Sequence, residues 1–346
     1  MGLSVTIKDV ARQANVSVAT VSRALNGHEN VAEAVRTRVL AVAKELRYSP
    51  HHAARSLSSR RTNTIGVVLP DLYGEFFSEL MRGIDQVARD HGQHLLVSSY
   101  HGNPQEQAEA LRTMRGRVDG LLVLSPYASD SSHLADNLSP SQPAVLINSQ
   151  ALDADVPSLS IDNHRAAGEM VRHLAAGGRR RIAFIAGPSD NFDARDRLRG
   201  YREALAEAVP GAQPWVVQGD FTEAAGHQAA QQLLATSPRP DAIFAANDMM
   251  ALGCMFACLQ AGADVPGEIA IAGFDDIPLA RYAHPSLTTM RVDIAGLGAH
   301  ALRLLLQQLS RDNDVPVPLS TQLGAELIVR ESTAGSGVSP GDRESG

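Results

Sequence analysis

Hydrophobic residues in the first 60 positions recur at helical spacing. Two such segments follow Thr6 and Ser17, and a third spans residues 31–47. Ser and Thr are favoured N-cap residues because their side-chain oxygens accept hydrogen bonds from free backbone N–H groups at a helix start. Asn26 and Gly27 end the second segment with residues that favour a helix C-terminus. The pattern predicts three short helices joined by short turns.

The pattern changes at Thr64. From there, short runs of Val, Ile and Leu alternate with amphipathic segments of about 10–15 residues. Strands that alternate with helices indicate βαβ units and parallel sheets. The runs number about ten, too many for one small sheet, so we expect an α/β fold of two lobes behind an all-α N-terminal part. The polar, Gly- and Ser-rich residues 334–346 predict a disordered tail.

Polar residues follow several of the predicted strands. They are Asp71, Ser125, Asn148, Asp162, Asn247 and Asp275. In open α/β sheets, ligands bind beyond the carboxyl ends of the strands. Two lobes that face each other at these ends would form a ligand-binding cleft.

The charge of the chain is unevenly distributed, although the formal net charge is −7. Residues 1–61 carry 10 Lys and Arg against 4 Asp and Glu, whereas the remaining residues carry 21 against 34. A small basic segment attached to an acidic protein predicts a nucleic-acid-binding head.

Composition and motifs disfavour several other classes of protein. Two cysteines, Cys254 and Cys258, exclude a disulfide scaffold and a four-cysteine zinc site, so we expect no metal. No apolar run approaches the roughly 20 residues of a membrane span, and the N-terminus lacks a signal-peptide pattern. This predicts a cytoplasmic protein with no membrane partner. P-loop and zinc-protease motifs do not occur, and the Gly-rich residues 296–301 follow no hydrophobic strand. We therefore expect neither an enzyme nor a cofactor.

The first two predicted helices form a helix-turn-helix unit, because only a short turn separates them. The second helix of such a unit enters the major groove with its N-terminal residues leading. Those residues are Val18, Ala19, Ser22 and Arg23. Arg23 has the geometry to bond bidentately to guanine, and Val18 and Ala19 can pack on thymine methyl groups. Ser17 and Thr20 can reach phosphates beside the helix N-terminus.

Sequence motifs in a characteristic order run along almost the whole chain. At the N-terminus they are T-I-K-D-V-A at 6–11, V-S-V-A-T-V-S-R at 16–23, Y-S-P at 48–50 and A-R-S-L at 54–57. Further along they include R-R-I-A-F-I-A-G-P, R-L-R-G-Y, A-A-N-D-M-M-A-L-G, I-A-G-F-D-D and P-S-L-T-T. In these motifs the chain resembles the LacI/GalR family of bacterial transcription repressors, and the resemblance extends to about Ser332.

The resemblance implies a nucleoid-associated homodimer in which each protomer reads half of a near-palindromic operator. It implies a DNA-binding domain at 5–60 with a hinge helix at 51–59 that orders on operator. Leu57 matches the hinge leucine that wedges into the minor groove. The pair Val18 and Ala19 matches members that prefer a central CG step. The implied DNA-binding residues are Thr6, Ser17, Val18, Ala19, Thr20, Ser22, Arg23, Asn26, Arg55 and Leu57.

The remaining part, residues 62–333, resembles the periplasmic sugar-binding-protein fold, which has two lobes joined by three crossovers. We expect the crossovers near 162–164, 291–293 and 318–323. The expected lobes comprise roughly 62–161 plus 292–320, and 163–290 plus 321–333. The implied effector-binding residues are Phe77, Ser125, Asn148, Asp162, Arg197, Phe221, Asn247 and Asp275. Carboxylates, amides, a guanidinium and aromatic rings suit a sugar, and such an effector would control operator binding allosterically.

Several alternatives remain open at this point. Phe77 and Phe221 can also sandwich a purine or nucleoside, and the ligand can act as inducer or corepressor. Asn247 and Asp275 can instead cap the helices after their strands, and Arg197 can pair with Asp193 or Asp196. Phe76 is the stronger candidate for a core residue than Phe77. A sugar-binding receptor and an α/β enzyme are the competing functions from other classes.

Overall fold

The computed structural model describes residues 5–25, 30–48, 61–127, 134, 136–149, 156–310 and 318–334. The chain divides between Thr62 and Asn63 into an N-terminal unit and a larger unit. The expected hinge helix at 51–59 and residues 335–346 of the expected tail lie outside the described residues. So do three of the implied DNA-binding residues, Asn26, Arg55 and Leu57.

The described residues of the N-terminal unit form three helices, as the hydrophobic spacing predicts. They are α1 (Ile7–Gln13), α2 (Val18–Leu25) and α3 (Glu33–Glu45). The backbone N–H and hydroxyl of Thr6 both donate to the Asp9 carboxylate, at 2.9 and 2.7 Å, and Thr6 is the N-cap of α1. The Ser17 hydroxyl accepts from the backbone N–H of Thr20 at 3.1 Å and so caps α2. Buried Val and Ala side chains from all three helices form the small core.

The first lobe of the larger unit is built on a six-stranded sheet in the order β11-β5-β4-β3-β1-β2, with all neighbours parallel. The strands are β1 (Thr64–Leu69), β2 (His94–Ser99), β3 (Gly120–Leu124), β4 (Ala144–Ile147), β5 (Ser158–Ile161) and β11 (Ser320–Leu323). The helices of this lobe with described bounds are α4 (Glu75–Asp90), α5 (Pro104–Met114) and α10 (Ile294–Leu309). The central strands are continuous apolar runs because helices cover the faces of a parallel sheet.

The second lobe repeats this order as β12-β10-β9-β8-β6-β7, but β12 runs antiparallel to β10. The strands are β6 (Ile182–Ala186), β7 (Trp215–Gln218), β8 (Ala242–Ala245), β9 (Ala270–Asp275), β10 (Thr288–Arg291) and β12 (Glu326–Ile328). The helices are α6 (Asn163–Ala176), α7 (Phe192–Ala208), α8 (Glu223–Leu234) and α9 (Asp248–Gln260), and a short 3-10 helix spans Pro278–Arg281.

The chain passes between the two sheets three times. The first two passages lie at Asp162 and at residues 292–293, close to the expected positions. In both, an aspartate caps the helix that follows: Asp162 accepts from the N–H of Arg165, and Asp293 from that of Gly296. The third passage was expected at 318–323, which is wrong. Residues 320–323 form a strand parallel to β5, so the chain leaves the first sheet only at 324–325.

Candidate functional site

One face of α2 presents most of the predicted DNA-reading side chains to solvent. Val18 is 41% exposed, and Ala19 and Arg23 are also exposed, whereas Ser22 is half-buried. Val21 and Ala24 lie on the opposite face and are buried in the core of the N-terminal unit. Positions i, i+1, i+4 and i+5 share a helix face, so this register leaves the predicted reading face uncovered.

The capping residues of this unit already have structural partners. Thr6 is exposed and bonds to Asp9, and these hydrogen bonds lower the pKa of the Asp9 carboxyl. Ser17 is exposed and Thr20 is half-buried, and their hydroxyls lie 2.9 Å apart. All three lie at helix starts, where backbone N–H groups favour anions such as phosphate.

The larger unit has a cleft of about 880 Å³, part of it open to solvent, between the carboxyl ends of its two sheets. The first lobe contributes mainly aromatic side chains, from the segment after β1, the start of α4 and the segment after β3. They are Tyr73, Phe76, Phe77 and Tyr127. The second lobe contributes buried polar and charged side chains together with Phe221. They are Asn191, Asp193, Arg197, Asn247 and Asp275.

Most of the predicted effector residues line this cleft. They are Phe77, Asn148, Arg197, Phe221, Asn247 and Asp275. Phe76 also lines the cleft. The rings of Phe76 and Phe77 are both half-buried, and their centres lie 5.5 Å apart in an edge-to-face arrangement. The expectation that Phe76 belongs to the core and Phe77 to the cleft is therefore too sharp a division.

Ser125 and Asp162 do not line the cleft. Ser125 is buried behind the wall and accepts a hydrogen bond from the Gln107 amide at 2.9 Å. Asp162 caps α6, and its other carboxylate oxygen pairs with the guanidinium of Arg165 at 3.2 Å. Both residues follow strands, but their side chains form hydrogen bonds with neighbouring residues outside the cleft.

Arg197 is the centre of a buried hydrogen-bond network in the second lobe. Its Nε donates to Oδ1 of Asn163 at 2.8 Å, and Nη1 donates to the carbonyl of Ala246 at 2.5 Å. Nη2 lies 3.4 Å from Oδ1 of Asp275, and the guanidinium carbon lies 3.7 Å from the centre of the Phe274 ring. The ion pair is thus with Asp275, and not with Asp193 or Asp196 as the alternative proposed.

Two carboxylates flank this guanidinium, and both are harder to ionise than usual. Burial raises the pKa of Asp193 to about 6 and that of Asp275 to about 7. The positive charge of Arg197 offsets part of the desolvation in each case. Asn163 connects the two sides, because its amide donates to Oδ1 of Asp193 at 2.8 Å.

Three cleft residues have left-handed backbone conformations that side chains other than glycine rarely adopt. Asn148, Phe221 and Asp275 have φ values of 45°, 75° and 113°. Such conformations cost on the order of 1–3 kcal/mol each and persist where the surroundings enforce them. The Asn247 amide holds Phe221 by donating to its carbonyl at 3.0 Å. A Cβ atom on Gly187 would lie 2.4 Å from the Phe221 ring, so this position must be glycine for the ring to pack there.

Asn247 has both a structural and a lining position. Its Oδ1 accepts from the backbone N–H of Met250 at 3.0 Å, which caps α9 as the alternative interpretation proposed. Asp275 does not cap a helix, because the segment that follows it begins at Ile277 without a side-chain cap. The strand-end signal therefore selects cleft residues that differ in their local partners.

Polar contacts connect the two lobes at the cleft. The Tyr73 hydroxyl donates to Oε2 of Glu223 at 3.1 Å, which raises the pKa of the phenol. The backbone N–H of Leu279 donates to Oε2 of Glu75 at 3.4 Å. The N–H of Phe192 donates to the carbonyl of Pro126 at 2.8 Å. These contacts involve both side chains and backbone, so the two walls of the cleft are in direct contact.

Sequence reasoning missed several lining residues. Asp220 follows β7 in the same way that the predicted residues follow their strands, so the strand-end rule was sufficient to find it. Asp193 lies in the first turn of α7, where an acidic residue is ordinarily a solvated helix-start residue. Tyr73 and Tyr127 lie in loops after strands, and no sequence signal marks their direction.

Within the described ranges, no group of three or more His, Cys, Asp or Glu side chains is arranged to hold a metal ion. Across the same ranges, none of the helices combines the length and the apolar character that crossing a membrane requires. Cys254 and Cys258 are buried free thiols on α9.

Comparison with protein families matches two parts of the chain. Residues 6–51 match the family described as bacterial regulatory proteins, lacI family. Residues 171–333 match the periplasmic binding protein-like domain. The first match covers the helices of the N-terminal unit, and the second covers much of the second lobe.

Full-length relatives match nearly the whole chain. Catabolite control protein A of Priestia megaterium is 35% identical over 96% of this chain and 100% of its own length. The HTH-type transcriptional repressor CytR of Escherichia coli K12 is 38% identical over 95% of this chain and 96% of its own length. The ribose operon repressor of Escherichia coli K12 is 38% identical over 88% of this chain and 93% of its own length.

Solved structures match the fold in the same way. The lac repressor dimer bound to operator and the anti-inducer ONPF has a TM-score of 0.85 and 29% identity, over 96% of this chain and 100% of that chain. The complex of the transcriptional regulator CelR with cellobiose has a TM-score of 0.69 and 32% identity, over 95% of this chain and 99% of that chain. The chain therefore belongs to the lacI family of bacterial regulatory proteins and is a DNA-binding transcriptional repressor, not an enzyme.

Proposed function

We propose that this repressor is a homodimer whose operator binding is controlled by a small sugar-type effector in the cleft between its two lobes. The main support is the convergence of predicted effector residues from six separate stretches of sequence on one cleft. The genes under its control would then be genes of carbohydrate metabolism. The sign of control, induction or corepression, is open in this proposal.

The chemistry of the cleft favours a ligand with several hydroxyl groups. Asp193 and Asp275 can accept hydrogen bonds from hydroxyls, and Asn148 adds an amide. Phe77 and Phe221 offer apolar ring faces, which suit the apolar face of a sugar ring. Among the structural relatives, the CelR regulator is in complex with cellobiose, a disaccharide.

A purine nucleoside is the second candidate effector. The observation that favours it is the number of aromatic side chains lining the cleft, since a base stacks well between two rings. The ribose of a nucleoside would present its hydroxyls to the same carboxylates. Sugars and nucleosides therefore both belong in any ligand screen.

Effector and operator binding must be coupled in both directions. An effector that weakens operator binding by some factor is itself bound more weakly by the same factor when operator is present. We propose that the operator is near-palindromic, because each protomer of a dimer would present one α2 helix to one half-site. We propose a central CG step because the pair Val18 and Ala19 matches family members that prefer one.

The first experiment is selection of operator from genomic fragments by the full chain, with and without a panel of mono- and disaccharides and nucleosides. The expected result is a near-palindromic site with a central CG that one ligand releases or strengthens. If no specific DNA is selected under any ligand, the proposal of effector-controlled operator binding is wrong.

A variant tests which helix reads the operator. Arg23→Ala should weaken binding by about 1–3 kcal/mol and relax the preference at one base position, because a bidentate contact to guanine is lost. Arg38→Ala is the matched control, since Arg38 is an exposed arginine on α3. It should leave the base preference unchanged. An unchanged operator profile for Arg23→Ala would remove that residue from the reading face.

A further inference from the structure

The cleft carries an excess of negative charge. Among the described residues that line it, the carboxylates are Asp71, Glu75, Asp193, Asp220 and Asp275, and the cation is Arg197. Both lobes thus contribute carboxylates to the lining, whereas the cation comes from the second lobe. A ligand that brings further negative charge into this space meets repulsion, which is stronger in a partly enclosed cleft than in water.

The one cation is already engaged by the protein. All three nitrogens of Arg197 point at protein acceptors, namely Asn163, Ala246 and Asp275. The Phe274 ring covers one face of the guanidinium. Bidentate binding of a phosphate or carboxylate needs two free N–H groups side by side. Arg197 would have to give up protein partners to provide them, and Asp275 would then lose its counter-charge.

Among the described residues that line the cleft, the buried side-chain atoms without a hydrogen bond are acceptors. Oδ1 of Asn148 is buried and has no hydrogen-bond partner within the described part of the chain. Oδ1 of Asp275 is buried and accepts no hydrogen bond there either, although Nη2 of Arg197 lies 3.4 Å away as its ion-pair partner. Asn148 is 2% exposed and Asp275 is 4% exposed, and both line the cleft. A buried acceptor without a donor is costly, and a ligand hydroxyl or ammonium group would satisfy it. A phosphate oxygen would not, because it is itself an acceptor.

We infer that the cleft binds an uncharged or cationic polyhydroxyl ligand and discriminates against its phosphorylated or carboxylated forms. This inference rests on the proposed function, since it defines the charge class of the same effector. The repressor would then respond to a free sugar, aminosugar or nucleoside. It would not respond to the anionic product of a kinase or an oxidase acting on that compound.

The experiment uses the full chain and matched sets of probes at pH 8, with binding measured by calorimetry. The sets are ribose with ribose 5-phosphate; glucose with glucosamine, glucose 6-phosphate and gluconate; and adenosine with adenosine monophosphate. In each set that binds, the anionic members should bind at least tenfold more weakly than the uncharged or cationic member. Tighter binding of an anionic member, or binding of anionic members alone, overturns the inference. So does a panel in which no uncharged or cationic member binds.

A charge variant separates repulsion from shape. Asp220→Asn removes one negative charge from the lining, and an amide can still accept the hydrogen bonds that Asp220 accepts from the N–H and hydroxyl of Thr222. It should narrow the difference between a neutral ligand and its phosphate. Asp90→Asn, at the exposed end of α4, is the control and should leave that difference unchanged. If the difference in affinity between the neutral ligand and its phosphate is the same in Asp220→Asn and in Asp90→Asn, charge repulsion by Asp220 is not the cause of the discrimination.

The outcomes for the two proposals can be told apart. Release of operator by a sugar phosphate would overturn the charge inference while supporting effector-controlled repression. If ligands bind with the expected charge preference and none alters operator binding, the proposed function is wrong, although the cleft has the inferred selectivity.

Discussion

The two lobes have the same strand order but contribute different chemistry to the cleft. The first lobe offers mainly aromatic side chains, from the start of α4 and from the segments after β1 and β3, and its wall contains no buried ion pair among the described residues. The second lobe offers Asp193, Arg197 and Asp275, which are all buried. Asn163 connects Asp193 to Arg197, and Arg197 pairs with Asp275. The same topology therefore supports two different walls, because binding chemistry depends on side chains at the strand ends and not on strand order.

This difference has an energetic side. Burying charged groups is costly unless each is paired and hydrogen-bonded, so the second lobe depends on a network in which every member needs the others. Aromatic side chains at the first wall need no such partners. The second lobe should accordingly be the more sensitive of the two to substitution and to pH.

The largest expected effect is from removal of the central cation. Arg197→Met should lower the free energy of unfolding by about 3–5 kcal/mol, because it leaves Asp275 and Asp193 buried without a counter-charge. Arg195→Met is the matched control on the same helix. Arg195 is exposed, so its substitution should change stability by no more than about 0.5 kcal/mol. Urea unfolding of both variants measures the difference, and similar losses would show that the network has no special role.

The next effect is on the pH dependence of stability. The pKa of Asp275 is raised to about 7 in the folded protein, against 3.8 for an ordinary aspartate. Between these values the folded state binds a proton that the unfolded state has released, so stability falls as pH rises. Linkage gives a loss of about 1.4 kcal/mol per pH unit in this window for one group. Asp275→Asn should lack this contribution.

The measurement is the free energy of unfolding of both proteins from pH 4 to pH 8. The stability of the natural chain relative to Asp275→Asn should decline from about pH 4 to about pH 7 and then level off. A difference that stays constant across this window would contradict a raised pKa at Asp275.

The smallest effect concerns the contact between the walls. Tyr73 is 60% exposed, so its hydrogen bond to Glu223 should contribute little to stability because solvent competes for both groups. A double-mutant cycle with Tyr73→Phe and Glu223→Gln isolates the coupling from the separate effects of each substitution. A coupling energy well above that of an exposed pair would mean that this contact is a main determinant of how the walls meet.

The sequence predicts most of the fold because buried parallel strands are apolar runs bounded by polar residues. The exception is Ser320–Leu323, an edge strand of alternating exposed and half-buried residues, for which no such run exists. Its assignment required its partner β5, which is distant in sequence. For this reason the third passage between the lobes was placed too early.

The cleft could be predicted in part, and for a specific reason. The strand-end rule finds residues such as Asn148 and Asp275, whose position follows from the direction of a strand. It fails where the side chain turns to its own neighbours, as at Ser125, which bonds to Gln107. It also fails for Asp193, whose burial depends on the contact of α7 with Asn163 at the start of α6.

The exposed face of α2 is easier to predict, because an amphipathic helix has one register that buries its apolar residues. Val21 and Ala24 fix that register, and the exposed positions follow from helical geometry alone. The cleft has no equivalent rule, because its residues come from many elements.

Because the chain passes between the lobes three times, neither sheet receives its last strand until late in translation. The first sheet acquires its last strand at Ser320–Leu323, after most of the second sheet has been made, and the second sheet acquires its last at Glu326–Ile328. Both lobes therefore remain unfinished until the ribosome reaches this short stretch, although domains commonly fold one after another as they emerge. A stop codon shortly before residue 320 would leave both sheets with an uncovered edge, which is a surface prone to aggregation. Selection against truncated products should thus extend to stop codons late in the gene, because no chain that ends before residue 320 contains a complete sheet of either lobe.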